Sequence, residues 1–166
     1  MKKLVFATLI LIAAIMVLLV FIKSYSSKKF KDEPIPSFSI VNLDGNHIEF
    51  KKENFPRQLI LNFFGTECGL CAAEVSDLIL FSRKHNVDIL FVTPDSISAI
   101  KKFSNELKNQ GVNDNKISFA QISLTDAKKT FGDLVVPQSM IFDKGLKIKR
   151  MKKGIVSYQF LKKSFE

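Results

Sequence analysis

The chain opens on an apolar run. After Met1-Lys2-Lys3, nineteen residues from Leu4 to Ile22 carry no charge. At helical rise they reach roughly 28 Å, about the hydrocarbon thickness of a bilayer. The run is longer than the ~7–15-residue apolar core of a cleavable signal peptide. Its only small-residue site, Ser24-Tyr25-Ser26, is a poor one. Residues 1–22 therefore read as an uncleaved N-terminal transmembrane anchor, with a cleaved signal and a buried core helix as the competing readings. Residues 23–36, rich in Lys and Ser, read as a polar tether, and residues 37–166 as one domain long enough to bury a core.

Within that domain the hydrophobic period switches repeatedly between two and 3.6. Phe38 to Phe50 alternates on either side of Asp44-Gly45, which predicts a hairpin. Gln58 to Phe64 is almost wholly apolar, as a strand covered on both faces would be. A helical pattern follows from about Cys68 to Lys84, then a second buried strand over Val87–Thr93. Ser96 is placed to cap a helix running to about Gln110, where Gly111 stops it. Ile117–Ile122 reads as a weak strand, and Thr125-Asp126 opens a short helix ending near Gly132. Pro137 to Met151 predicts a hairpin turning at Asp143-Lys144-Gly145, and Ser157 starts a last amphipathic helix. Strands alternating with helices, closed by a hairpin and a helix, indicate an α/β sandwich around a mixed central sheet.

Composition changes this picture in two places. Sixteen Phe and no Trp supply the core aromatics. The formal charge of +9 is concentrated: Lys23–Asp143 holds fifteen basic and fifteen acidic residues, Lys144–Glu166 eight basic and one acidic. A surface-wide nucleic-acid footprint is therefore not expected. The basic run from Lys144 to Gly154 reads as an outer strand whose lysines discourage edge-to-edge pairing, or alternatively as a surface attracted to anionic headgroups or an acidic partner.

The candidate chemistry lies where a buried strand gives way to a helix. Cys68 and Cys71 are the only cysteines, two residues apart. A static bridge closing so short a loop would remove little chain entropy. A structural zinc site would ask for four ligands, and His47 and His85 show no ligand spacing; no metal or cofactor is expected. A helix start offers unpaired N–H groups and about half a positive charge, which stabilise a thiolate. Cys68 sits at that start and Cys71 one turn further in. In this geometry Cys68 exchanges with a partner disulfide and Cys71 resolves the mixed disulfide. Glu74 shares a helix face with Cys71, Leu78 and Phe81, so its carboxyl is expected to be partly buried, raised in pKa and able to move the resolving thiol's proton; a solvent-facing glutamate is the alternative.

The stretch Leu61-Asn62-Phe63 with Gly65, Thr66, Cys68, Cys71 and Glu74 resembles the thioredoxin superfamily, specifically its membrane-anchored TlpA/ResA-like thiol–disulfide oxidoreductases. Their pattern runs close to L-N-F-W-[AG]-[ST]-W-C-x-x-C-x-x-E. Val135 to Gly145 resembles the family's cis-proline loop and the hairpin beyond it, and the first hairpin resembles that branch's N-terminal extension. The resemblance implies a thioredoxin-like sandwich preceded by one transmembrane helix. It also implies Cys68 as attacking and Cys71 as resolving thiol, Pro137 as the cis-proline, and Val136 as offering main-chain hydrogen bonds to a substrate strand. Two positions depart from the pattern: Phe64 and Glu67 stand where the family has tryptophans. An acid at Glu67 repels a Cys68 thiolate and favours the disulfide over the dithiol, leaving redox poise and partner identity open.

The resemblance implies a disulfide reductase, expected on the outer face of a plasma (inner) membrane, single-pass, with its domain facing the periplasm or exterior. Its expected partners are disulfides of exported proteins, apocytochromes c awaiting haem among the candidates, and a transmembrane thiol protein as electron donor. The alternatives are an oxidase of the same fold, a copper or zinc carrier using the CxxC pair, a peroxidase and a purely structural binding domain. The peroxidase is disfavoured because the P-x-x-x-[ST]-x-x-C signature is absent: Thr66 lies two residues before Cys68 rather than three.

Overall fold

The computed structural model describes residues 11–18, 35 and 37–166. The chain falls into two units, Met1–Glu33 and Pro34–Glu166. Of the first, residues 11–18 are helical with exposed apolar side chains. The rest of the expected anchor, and all of the expected tether except Ile35, lie outside the described residues. Among the described residues no helix is long and apolar enough to cross a membrane.

In the second unit seven strands form one sheet: β1 (Ser39–Asn42), β2 (His47–Glu49), β3 (Leu59–Phe63), β4 (Asp88–Thr93), β5 (Ile117–Gln121), β6 (Gln138–Phe142) and β7 (Ile148–Lys153). Their spatial order is β2-β1-β5-β4-β3-β6-β7. β3, β4 and β5 run parallel, while β1–β2, β1–β5, β3–β6 and β6–β7 are antiparallel pairs. The helices are α1 (Gly69–His85), α2 (Ile97–Asn109), α3 (Leu124–Phe131) and α4 (Tyr158–Phe165). This is the mixed-sheet α/β sandwich indicated by the alternation of elements.

Parallel neighbours need a helical crossover, so central strands are covered on both faces. Every residue of β3, β4 and β6 is accordingly buried. One face of the sheet meets α1, α2 and α4 through Ile60, Ile89, Phe91 and Ile141, which share a cluster with Val75, Leu78, Phe81, Ile100 and Leu161. On the other face Phe63 packs edge-on against Phe131 of α3, which also meets Phe38.

Local chemistry sets the element ends. Ser96 accepts a hydrogen bond from Ala99 N–H and caps α2, and Gly111 takes positive φ beyond it. α3 begins slightly earlier than the sequence pattern suggests, because the Ser123 hydroxyl accepts from Asp126 N–H and serves as its cap. The β6–β7 connection is longer than a three-residue turn. Asp143 Oδ1 accepts from both Gly145 N–H (2.8 Å) and Lys147 N–H (3.0 Å), and Leu146 is carried into positive φ.

Candidate redox site

β3 ends at Phe63, and the next amide, Phe64 N–H, still bonds to Val92 O at 3.1 Å. The chain then turns through Gly65-Thr66-Glu67, closed by Cys68 N–H to Gly65 O at 3.1 Å. Cys68 is the N-cap of α1, with extended backbone (φ −86°, ψ 106°). The two sulfurs form a disulfide across a Cα–Cα distance of 5.2 Å. Cys71 N–H, in the first turn of the helix, donates to Cys68 O at 3.0 Å and also points at Cys68 Sγ from 3.2 Å. Cys68 is partly exposed whereas Cys71 is 1 % exposed. One sulfur is thus reachable and the other stands behind it.

Glu74, one turn beyond Cys71, is buried at 1 % exposure rather than facing solvent. Its Oε1 accepts from Asn62 Nδ2 at 2.7 Å and its Oε2 from Val156 N–H at 2.8 Å. Burial pushes its carboxyl above the usual glutamate range, and the hydrogen bonds from Val156 and Asn62 only partly oppose that rise. Asn62 also donates to Ser139 Oγ at 2.9 Å, and its own Oδ1 has no protein partner among the described residues. The network joins α1, β3, β6 and the loop before α4.

The Val136–Pro137 peptide is cis. β3 and β6 pair with Phe63 opposite Gln138, so the Val136-Pro137 loop and the Cys68 turn leave the sheet at the same end. Pro137 is buried and its carbonyl accepts from Gly154 N–H at 2.8 Å. Val136 is 48 % exposed, and Leu70, between the cysteines, 59 %. Glu67 is exposed immediately before Cys68. His47 and His85 stand elsewhere, the first against Ser39 Oγ and the second against Tyr158 OH. No group of three or more His, Cys, Asp or Glu able to hold a metal occurs among the described residues.

Ser139, Val156 and Asp95 are silent in the linear pattern. Asn62 is a lone polar residue in an apolar strand, which is a signal, but its partner Ser139 lies 77 positions away, and Val156, which donates to Glu74, lies 82 positions from that glutamate. Asp95, after β4, accepts hydrogen bonds from the turn that carries Cys68. Only the folded sheet brings these groups together.

The Redoxin family model matches residues 30–160. No curated protein sequence matches the chain significantly. Among solved structures, the chain is similar to StoA from Bacillus subtilis, at 19 % identity and a TM-score of 0.59 over 81 % of this chain and 99 % of that one. It is also similar to a thiol:disulfide interchange protein of the thioredoxin family from Chlorobium tepidum, at 20 % identity and a TM-score of 0.62 over 81 % and 94 % of the two chains. A third similarity is to copper-bound ScoI from Arabidopsis thaliana, at 13 % identity and a TM-score of 0.61 over 80 % and 96 %. At such identities these structures speak for the fold, which is thioredoxin-like.

Proposed function

The chain belongs to the redoxin family, and from that membership we propose a disulfide reductase tethered to the plasma membrane with its domain outside the cytoplasm. At the coarser level it is a thiol–disulfide oxidoreductase of thioredoxin fold, with a paired Cys68 and Cys71. The observation that carries the proposal is the placement of Cys68 Sγ at the start of α1 under the Cys71 N–H, partly exposed, with Cys71 buried behind it.

In the proposed cycle the dithiol form meets an oxidised partner. The Cys68 thiolate attacks one sulfur of the partner disulfide, forming a mixed disulfide and releasing the partner's other sulfur as thiolate. Cys71 gives up its proton, with Glu74 as the acceptor one helical turn away, and attacks Cys68 Sγ. The Cys68–Cys71 disulfide forms, the partner leaves with both sulfurs reduced by two electrons, and its thiolates take one proton from water and one from Glu74. A transmembrane thiol donor returns the pair to the dithiol by the reverse exchange. Val136 offers its main chain to the partner strand, with Pro137 fixing that loop beside the sulfurs. Exported proteins with oxidised cysteines, apocytochromes c included, are the proposed partners. The anchor over residues 1–22 and the tether over 23–36 hold the domain at the outer membrane face, and the β1–β2 hairpin is taken as the extension of the membrane-anchored branch.

The test is trapping. Cys71→Ala in cells accumulates mixed disulfides with client proteins through Cys68, and Cys68→Ala abolishes exchange; normal turnover in either variant refutes the mechanism. The reduction potential decides direction: a value near about −270 mV supports a reductase, and one near about −120 mV an oxidase. A second reading, a copper carrier with the two thiolates as soft ligands, is favoured by the similarity in fold to copper-bound ScoI. Stoichiometric copper retained by the purified reduced protein would establish it.

A further inference from the structure

The segment Thr93-Pro94-Asp95-Ser96 joins β4 to α2, and its aspartate reaches across to the redox turn. Asp95 Oδ2 accepts two hydrogen bonds from a single residue, from Thr66 N–H at 2.8 Å and from the Thr66 hydroxyl at 2.8 Å. Asp95 is itself held in place. Its N–H donates to Thr93 Oγ1 at 3.2 Å, and its carbonyl accepts from Gln121 Nε2 of β5 at 2.9 Å. Partial burial pushes its carboxyl upward, but the Thr66 N–H, the Thr66 hydroxyl and the Thr93 hydroxyl together outweigh that and hold it below the usual aspartate range. Among the described residues, the turn from Gly65 to Glu67 makes no other side-chain hydrogen bond to the body of the sheet.

Asp95 and Cys68 also line one open cleft, together with Glu67, Ser96 and Ala99. The titratable groups on its walls are Glu67, Asp95 and Cys68 itself. Two carboxylates facing a thiol would, as bare charges, disfavour its ionisation. Yet both acceptor contacts of Oδ2 are spent on Thr66, two residues before Cys68. Charge-assisted hydrogen bonds of this kind are roughly twice as strong as neutral ones. We propose that Asp95 is a positioning residue for the exchange reaction, clamping Thr66 so that the turn delivers Cys68 Sγ to the Cys71 N–H. The inference rests on Cys68 as the attacking sulfur. It adds that the geometry of its helix-end contact is set from β4 and β5 rather than by α1 alone.

The two roles of the carboxylate have opposite signs, which makes the proposal testable. If Asp95 acted only as a charge, Asp95→Asn would ease ionisation of Cys68 and move its titration to lower pH. If it positions, Asp95→Asn and Thr66→Val both loosen the turn, weaken the N–H contact and move the titration to higher pH. A rise of about one unit leaves about a tenth of the thiolate well below its pKa. The gain in intrinsic nucleophilicity returns part of this, so attack slows about threefold to fourfold.

The experiment uses the full reduced chain with glutathione disulfide as the probe, following the rate against pH and the ultraviolet absorbance of the thiolate. Expected are upward shifts of the pH profile in Asp95→Asn and Thr66→Val, with Thr66→Ser, which keeps hydroxyl and N–H, within about twofold of the parent. A downward or absent shift in Asp95→Asn with exchange intact overturns the positioning role. If Asp95→Asn does not fold, Thr66→Val against Thr66→Ser decides alone, and equal profiles in those two overturn it. Exchange persisting in Cys68→Ala instead overturns the underlying reading of the site, a separate outcome.

Discussion

Replacement of Glu74 is the sharpest probe of the buried network behind the disulfide. In Glu74→Ala, Asn62 Nδ2 and Val156 N–H lose their acceptors at 2.7 and 2.8 Å in a place without solvent access. A buried donor left unpaired costs ~1–3 kcal/mol, so the gross loss is ~2–6 kcal/mol. Removing a desolvated carboxylate returns part of it, since burial outweighs the two donors and raises this group's pKa. The net destabilisation at neutral pH is about 1–4 kcal/mol. Glu74→Gln keeps an acceptor for Val156 N–H but still costs about 1–3 kcal/mol. Its NH₂ turns to Asn62, and a half-turn of the Asn62 amide that offers Oδ1 to it leaves the Asn62 NH₂ where Oδ1 now lacks a partner.

The pH dependence separates charge from packing. Below the ordinary value of 4.5 the carboxyl is protonated in folded and unfolded chains alike and contributes nothing. As pH rises past it, the unfolded chain releases the proton first while the folded protein keeps it, so stability falls until the folded group titrates and then levels. Urea unfolding of the oxidised full chain across that range, for parent and both variants, measures this. The parent loses stability relative to Glu74→Gln as pH rises. Parallel curves for the two would refute the raised pKa, and a Glu74→Ala cost under about 0.5 kcal/mol would refute the pairing of its donors.

Two further outcomes follow from the structure. Phe91→Ala empties a position stacked on Phe119 and edge-on to Phe64 in the strand beside the redox turn; a loss of ~3–5 kcal/mol is expected in denaturant unfolding. Glu67→Trp removes the exposed acid next to Cys68 and is expected to lower the thiol pKa and raise the reduction potential by ~30 mV for each unit of that shift if fully transmitted; equilibration with a glutathione buffer reads it, and an unchanged potential would show that the neighbouring charge is screened.

Some of this molecule was legible residue by residue. The apolar run Gln58–Phe64 followed by a 3.6-period pattern places Cys68 at a strand-to-helix junction, and the structure has Leu59–Phe63 and Gly69–His85 on either side of it. Such features depend on contacts between near neighbours in the chain, which periodicity and capping residues encode directly. The burial of Glu74 was legible for the same reason, through its helix face.

The strand order, the Asn62–Glu74–Ser139 network and the Asp95–Thr66 clamp were not. Asn62 and Ser139 meet because β6 lies antiparallel to β3 in one register, and Thr66 meets Asp95 because β4 lies parallel to β3 in another. Pairing of distant strands depends on the packing of both sheet faces at once, and a shift of one residue would exchange every inward side chain for its outward neighbour. The sequence by itself determined which sulfur heads a helix; the tertiary structure alone decided which polar groups stand behind and beside it, because those groups are joined by sheet register and not by proximity along the chain.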